Sequence, residues 1–531
     1  MKINKLNIVL VLLLLFFSCY DDSNFNEEKL KIFRYNESSG ITSLDPIYSN
    51  NKPNIWAVNH IFNGLVQFDN NLDIQPCIAK EWLISEDGLT YTFFLRNDVY
   101  FHESQYFTKN IYDKRERVVS AEDFVYSFNR LKDSPGNWLI QEYFADDGLY
   151  VKNDTILTIK LKKPSPHFLN LLTMKYFSVV PKEVVENSDF SREPIGTGPF
   201  SFKYWKDNVK MVLLKNNNYF EKKDGDKLPY LDAINITFLQ NEESLFINFL
   251  QGNIDLVSGL SPIFKESFLD NNGELIEKYK DKFKIYKTPY LNTEYLAFNL
   301  PRCISINSPL QYKDMREAIN YGFDRKKIIK YLKNNVGFSG NSGIVPPYLA
   351  NYELDGYYYN PDTVYDLLID VKGDKEITLH TTSNYLDICE YLQSSFSDFG
   401  IKLNIKVDPP SIFKEKASTG GYCFFRASWI ADYPDPENYF ALFFSKNKSP
   451  DGPNKTYFAN KNFDDLYEKS FLNQYANERT LFFQSMEEII MDESIIVPLY
   501  YDMAIRFVSN KIEGLSINSM NLLTLKEVKK E

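Results

Sequence analysis

The chain has 531 residues, of which 44% are hydrophobic and 25% charged, and a formal net charge of −11. Tyr and Phe recur from end to end, 37 and 42 of them, which excludes a disordered chain. The length allows two or three domains, and the acidic balance argues against nucleic acid and anionic membrane surfaces as main partners.

In chain order, Lys2 and Lys5 precede an apolar run, Ile8 to Phe17, followed by Ser18 and Cys19. A charged start, a short apolar stretch and a small residue describe a secretory signal. The run is too short to span a bilayer comfortably. A cysteine directly after the small residue predicts a lipoprotein signal over residues 1–18, with lipidation on Cys19. A plain signal peptide that contains a cysteine is the alternative. Residues 19–29 are polar and acidic and read as a tether.

Leu89, Tyr91, Phe93 and Leu95 alternate with more polar neighbours, as do Leu157, Ile159 and Leu161, so each run predicts a half-buried strand. Between them, Ser120 and Asp123 have capping-box spacing, and Phe124, Val125, Phe128 and Leu131 share one helical face. This block is α+β. Further on, Ile234–Phe238 reads as a strand, Glu243–Leu250 as a helix stopped by Gly252, and Ile254–Val257 as a strand. That is a βαβ unit, which implies parallel pairing. A second unit runs from Ile377–Leu379, through a helix ending near Gly400, to Ile401–Val407.

Catalytic chemistry is sparse. His60, His102, His167 and His380 form no HExxH pattern and pair with no cysteine at ligand spacing, and no GxSxG elbow exists. Gly196 and Gly198 lack a third glycine and lead into a strand-like run, which predicts a tight turn rather than a phosphate loop. Cys77, Cys303, Cys389 and Cys423 are far apart; disulfides and buried thiols both remain open. No metal, no cofactor and no enzymatic turnover are expected.

The segments "IAKEWLISEDGLTYTFFLRNDVYFHES", "VSAEDFVYSFNRL", "PIGTGPF", "DMREAINYGFDRKKI" and "ASWIADYPDPENYF" occur in this order. Together they resemble the extracytoplasmic solute-binding proteins of family 5, most closely the oligopeptide-binding lipoproteins of ABC importers. The resemblance runs from about Leu30 to Leu515. It implies an α/β, two-lobe periplasmic-binding-protein-like fold with two crossovers and an additional α+β domain inserted in the first lobe. Lobe I would comprise 30–64, 190–288 and 495–531; the insert 65–189; lobe II 289–494. The charged stretch Lys109 to Arg117 departs from the family pattern as a loop extension.

The resemblance also implies a site. Asp432, in "WIADY", would bind a peptide α-ammonium, and Arg426, six residues earlier, would help receive the carboxylate. On an extended chain that spacing keeps both on one face, roughly 20 Å apart, which suits a peptide of about three to five residues. Ser428, Trp429 and Ile430 would pair with the ligand backbone as an edge. Asn50, Asn51 and Lys52, after the "SLDP" of Ser43 to Pro46, would flank the peptide from the other lobe. Lys333, nine residues after Asp324, would add a second cation for the carboxylate. Leu386 stands where the family's carboxylate-end histidine should be. Asp435 reads as a turn cap beside Pro434 and Pro436. The expected partners are short peptides and an inner-membrane ABC permease, with membrane contact through the lipid anchor only and no nucleic acid. The expected state is an exported monomer at the periplasm or cell surface of a bacterium. Alternatives are a nickel chelate, haem or oligosaccharide as the solute, or a surface adhesion or signalling lipoprotein.

Overall fold

The protein's architecture is given by a computed structural model that describes residues 30–371, 373–472 and 476–531. Its elements begin with β1 (Ile32–Asn36) and α1 (Lys52–Ile61), followed by β2 (Ala79–Ile84), β3 (Thr90–Leu95), α2 (Ala121–Asn129), β4 (Phe144–Asn153) and β5 (Ile156–Leu161). Next come β6 (Phe200–Lys206), β7 (Lys210–Lys215), β8 (Ala233–Thr237), α3 (Glu242–Leu250), β9 (Leu256–Ser258) and the long β10 (Phe283–Phe298). Then follow β11 (Glu376–Thr381), α4 (Leu386–Ser397), β12 (Lys402–Val407), β13 (Phe424–Ile430) and the long β14 (Ile496–Ser509). The main sheet has the order β12-β11-β13-β10-β14-β9-β1-β8-β7-β6, and Phe338–Ser339 also pairs with β14.

Both predicted βαβ units are present. In the first, Asn241 caps α3 by accepting from Ser244 N at 2.7 Å, and Gly252 ends it at a φ of +75° that a Cβ would oppose. Its two strands do not touch each other. β1 lies between them and is parallel to both, with Tyr35 opposite Ile236 on one side and Leu256 on the other. In the second unit β11 and β12 are direct parallel neighbours, Glu376 opposite Lys402 through Thr381 opposite Val407.

Two long antiparallel strands carry the sheet from one half to the other. β10 and β14 pair from Phe283 opposite Ser509 to Ala297 opposite Ile496. The end of β14 also pairs with β9, and the end of β10 also pairs with β13. Register shifts fall between Pro289 and Thr293 and between Glu294 and Tyr295, the latter opposite Pro498. Prolines donate no ladder hydrogen bond, so the pairing is interrupted midway, between the two half-sheets.

A separate antiparallel sheet, β2-β3-β5-β4, lies within residues 79–161. Tyr91, Phe93, Leu157 and Ile159 alternate inward, as the pattern predicts. The capping box of α2 is formed, with Ser120 N donating to Asp123 Oδ2 at 2.8 Å. Gly196 and Gly198 make the expected turn. Gly198 N donates to Ile61 O at 2.7 Å, and a Cβ on either glycine would strike the Ile61 backbone. Cys303 and Cys423 form a disulfide, while Cys77 and Cys389 are free and buried.

Candidate functional site

Strand β13 is paired unequally. On one side it follows β10 from Phe424 to Ile430, while on the other it meets β11 only at Phe425, opposite His380. Among the described residues, Ala427 to Ile430 therefore have one edge without a strand partner. The strand runs from buried Phe424 and Phe425, through half-buried Ser428 and Trp429, to exposed Ile430.

Beyond this edge the chain is tightly fixed. Asn438 Oδ1 accepts from Trp429 Nε1 at 2.9 Å and from Asp432 N at 3.1 Å. Asp435 takes both arms of Arg479 at 3.0 and 2.9 Å and caps Glu437 N at 3.0 Å, so it serves the turn, as expected. Buried Glu437 accepts from the hydroxyls of Tyr433 and Tyr467. The His167 ring, from the 65–189 region, stacks on Tyr433 with centroids 5.2 Å apart and planes within 6°.

Asp432 itself is different. Its residue is exposed to solvent, yet protein surrounds it closely enough to push its pKa up to about 6. Desolvation is the main cause; the Asn438 side chain opposes it and the Glu437 charge adds to it. The carboxylate is thus accessible to solvent and at the same time flanked by protein. No cation pairs with it among the described residues. Its charge reaches Tyr176, whose pKa burial and then Asp432 raise to about 12. Tyr176 belongs to a turn, Lys175–Phe177, that packs on Pro46–Tyr48. Asn50, Asn51 and Lys52 follow directly.

These three have local partners. Asn51 Oδ1 accepts from Asn54 N at 3.1 Å as the cap of α1, and Asn51 Nδ2 donates to Asn50 Oδ1 at 3.1 Å. Lys52 lies 3.7 Å from Glu37 and 4.5 Å above the Trp56 ring. No hydrogen bond or ion pair joins them to β13 among the described residues.

The two cations assigned to the carboxylate end are brought together, and both are already paired. Arg426 bonds Glu294 Oε2 through Nε at 3.1 Å and again through Nη2, and stacks 3.5 Å from the Tyr385 ring centre. Lys333 lies 3.2 Å from Asp502 and 4.3 Å above the Tyr500 ring. The two pairs are neighbours: the Asp502 charge raises the pKa of Glu294, after the larger effect of burial. Tyr385 stands beside Leu386 and covers the arginine in this chain.

Sequence reasoning missed Lys455. Like Asp432 it is exposed yet flanked by protein, and its pKa is lowered by burial and then by Lys414 and Arg426. It has no ion pair among the described residues. Nothing in its neighbours Asn454 and Thr456 marks it, because what distinguishes it is the lack of a partner. Among the described residues no cluster of three metal-ligating side chains occurs, and no helix is long and apolar enough to cross a membrane. Cys19 lies outside the described residues.

Two half-sheets bridged by a pair of long strands define a two-lobed periplasmic binding protein fold. The chain belongs to the bacterial extracellular solute-binding proteins, family 5 Middle, whose profile matches residues 73–451. This is a family of solute-binding proteins, not of enzymes. The chain is 25% identical over 487 residues to "Probable di/tripeptide-binding protein 5" of Pseudomonas aeruginosa, covering 86% of this chain and 88% of that one. It is 24% identical over 486 residues to heme-binding protein A of Haemophilus influenzae, covering 86% and 84%. Its fold matches the ABC transporter-associated periplasmic binding protein DppA of Helicobacter pylori, in complex with the peptide STSA, with a TM-score of 0.77 and 25% identity over 94% of this chain and 98% of that one.

Proposed function

We propose that this protein captures short peptides in the cleft beside β13 and delivers them to an ABC-type importer. The observation that carries the reading is Asp432: an accessible carboxylate without a cation, at the end of a strand with one open edge. A peptide backbone adds to Ser428, Trp429 and Ile430 as a further strand, without regard to side chains. Its α-ammonium supplies the charge that Asp432 lacks. At the other end Arg426 and Lys333 are neutralised by Glu294 and Asp502, so Lys455, without an ion pair among the described residues, is a cation free to meet a carboxylate. The related di/tripeptide binder and the peptide-bound DppA support the solute class.

Capture closes 289–494 against the other lobe, 30–64 with 190–288 and 495–531, about the interrupted pairing near Pro289. The chain works as a monomer, outside the cytoplasm, on a lipid at Cys19. The Cys303–Cys423 disulfide supports an oxidising compartment. Replacing Cys19 with Ser should release the protein or strand it as an unlipidated precursor; membrane attachment at normal mobility would refute the anchor.

The peptide reading is tested by a cycle of Asp432→Asn against N-acetylation of the peptide, measured by calorimetry. Removing one side of a buried charge pair costs roughly 2–5 kcal/mol, or about 30- to 4,000-fold in affinity. Each change alone should lose that much, and both together little more, since they break one interaction. Additive losses, or acetylated peptides binding as tightly as free ones, would remove Asp432 from the site and reopen the haem, nickel-chelate and oligosaccharide readings.

A further inference from the structure

A cavity of about 820 Å3 lies apart from the β13 edge. Its walls come from α1, the Val66–Pro76 hairpin, the turn at Lys175, the Tyr219–Leu228 segment and the tail from Gly514 to Glu527. The size is that of a small-molecule site, typically about 300–1,000 Å3. Phe62, Phe68, Phe220 and Leu525 give it apolar surface.

The charges lining it do not balance locally. Every acid there is taken. Glu221 accepts from Lys526 and from Gln67, Glu527 from Lys223 at 2.5 Å, and Asp98 from Arg96 at 2.7 Å. Asp69 accepts from Asn71 N, Asp73 N and Gln75 within its own turn, at 2.8 to 3.1 Å. Among the described residues three lining ammonium groups remain without a hydrogen bond or ion pair: Lys80, Lys175 and Lys222. Lys175 is the most enclosed, and desolvation lowers its pKa to about 8. The nearby Cys77 thiol cannot neutralise it, because burial pushes that group up to about 12. His60, also on the wall, is 1% exposed and its Nε2 has no partner. An enclosed cation without a counter-charge is unfavourable, so a chain of net −11 has a cavity short of negative charge.

We propose that this cavity is a second binding site, which takes a small organic anion with its carboxylate or phosphate on Lys175. The site stands independently of the peptide reading.

The test is calorimetry of the purified full chain with citrate and, separately, inorganic phosphate; the two arms tell carboxylate from phosphate recognition. At least one probe should bind at neutral pH, and Lys175→Met should weaken it tenfold or more at an unchanged melting temperature. For citrate, which carries constant charge in this range, native affinity should fall about tenfold on going from pH 7 to pH 9 as Lys175 loses its proton. That second readout needs no variant and keeps the test decisive if Lys175→Met fails to fold. Asp432→Asn should leave anion binding intact, which separates this site from the cleft. The proposal is overturned if neither probe binds at 10 mM, if Lys175→Met binds as the native chain does, or if citrate affinity does not change between pH 7 and pH 9.

Discussion

Glu294 and Arg426 form a largely buried ion pair across two strands. The register sets Glu294 opposite Ser428 and Leu296 opposite Arg426, so the pair is a diagonal on one face of the sheet. Burial raises the Glu294 pKa and Arg426 draws it back down. Arg426 therefore already has a carboxylate partner.

The first prediction follows from that pair. Arg426→Met leaves Glu294 buried and unpaired, which should cost about 3–5 kcal/mol of stability at pH 8. Adding Glu294→Gln should restore most of it, because the orphaned charge is gone. Urea unfolding of the native chain, both single variants and the double variant gives the coupling. If the double variant is as unstable as Arg426→Met, the two side chains are not a unit and Arg426 is free to serve ligand.

Local features were legible in the sequence because their causes are local. Alternation at Tyr91, Phe93 and Leu95 specifies β3, Ser120 and Asp123 cap α2, and Gly252 stops α3. What could not be read depends on distant chain. β1 wedges between β8 and β9 some two hundred positions later. Arg426 finds Glu294 at a separation of 132, and Cys303 chooses Cys423 over Cys77 or Cys389 at a separation of 120. Asp432 stands in a motif, and its role as a ligand contact is a proposal. Lys455 and Lys175 stand in no motif, since a missing partner leaves no trace in neighbouring residues.

The disulfide gives a second expectation. It closes a loop of 120 residues, and a loop near that length constrains the unfolded chain by about 4–5 kcal/mol in the chain-entropy account. Replacing Cys303 and Cys423 together by Ala should lower unfolding stability by about 2–5 kcal/mol. Under denaturing, non-reducing conditions a thiol reagent should label Cys77 and Cys389 but neither Cys303 nor Cys423. Labelling of all four before reduction would show the bond is not formed.

Glu487 should impose a pH slope on stability. It is 1% exposed, accepts from Ile344 N, from Val345 N at 2.8 Å and from the Tyr352 hydroxyl, and burial pushes its pKa up to about 7. Folded protein thus binds this proton more tightly than unfolded chain does. The stability it contributes is fully present below the ordinary glutamate range near pH 4.5 and is lost as pH rises through 7. A shift of this size is worth about 3 kcal/mol at most. Glu487→Gln should flatten that part of the pH profile in denaturant titrations; an unchanged profile would mean the carboxylate keeps its charge when folded.

The last expectation concerns pH and ligand, and it turns on Asp432. Desolvation chiefly pushes its pKa up to about 6. A raised carboxylate holds its proton more tightly when folded, so its contribution to stability is lost as pH rises through 6. A bound ammonium reverses the preference, because it favours the ionised form and lowers the pKa again. Binding of a peptide ammonium at Asp432 should therefore release a proton below pH 6 and none above pH 7. Affinity should be nearly flat from pH 7 to about 7.5, and about tenfold weaker at pH 5, the factor for one unit below a pKa of about 6. Above about pH 8 it should fall once more, since a peptide's own α-amino group loses its charge there. Calorimetry in two buffers of different ionisation enthalpy counts the released protons directly. Asp432→Asn should remove the acid limb and spare the alkaline one, while an N-acetylated peptide should show neither. An acid limb that survives Asp432→Asn would assign that proton to another group and take the ammonium away from Asp432.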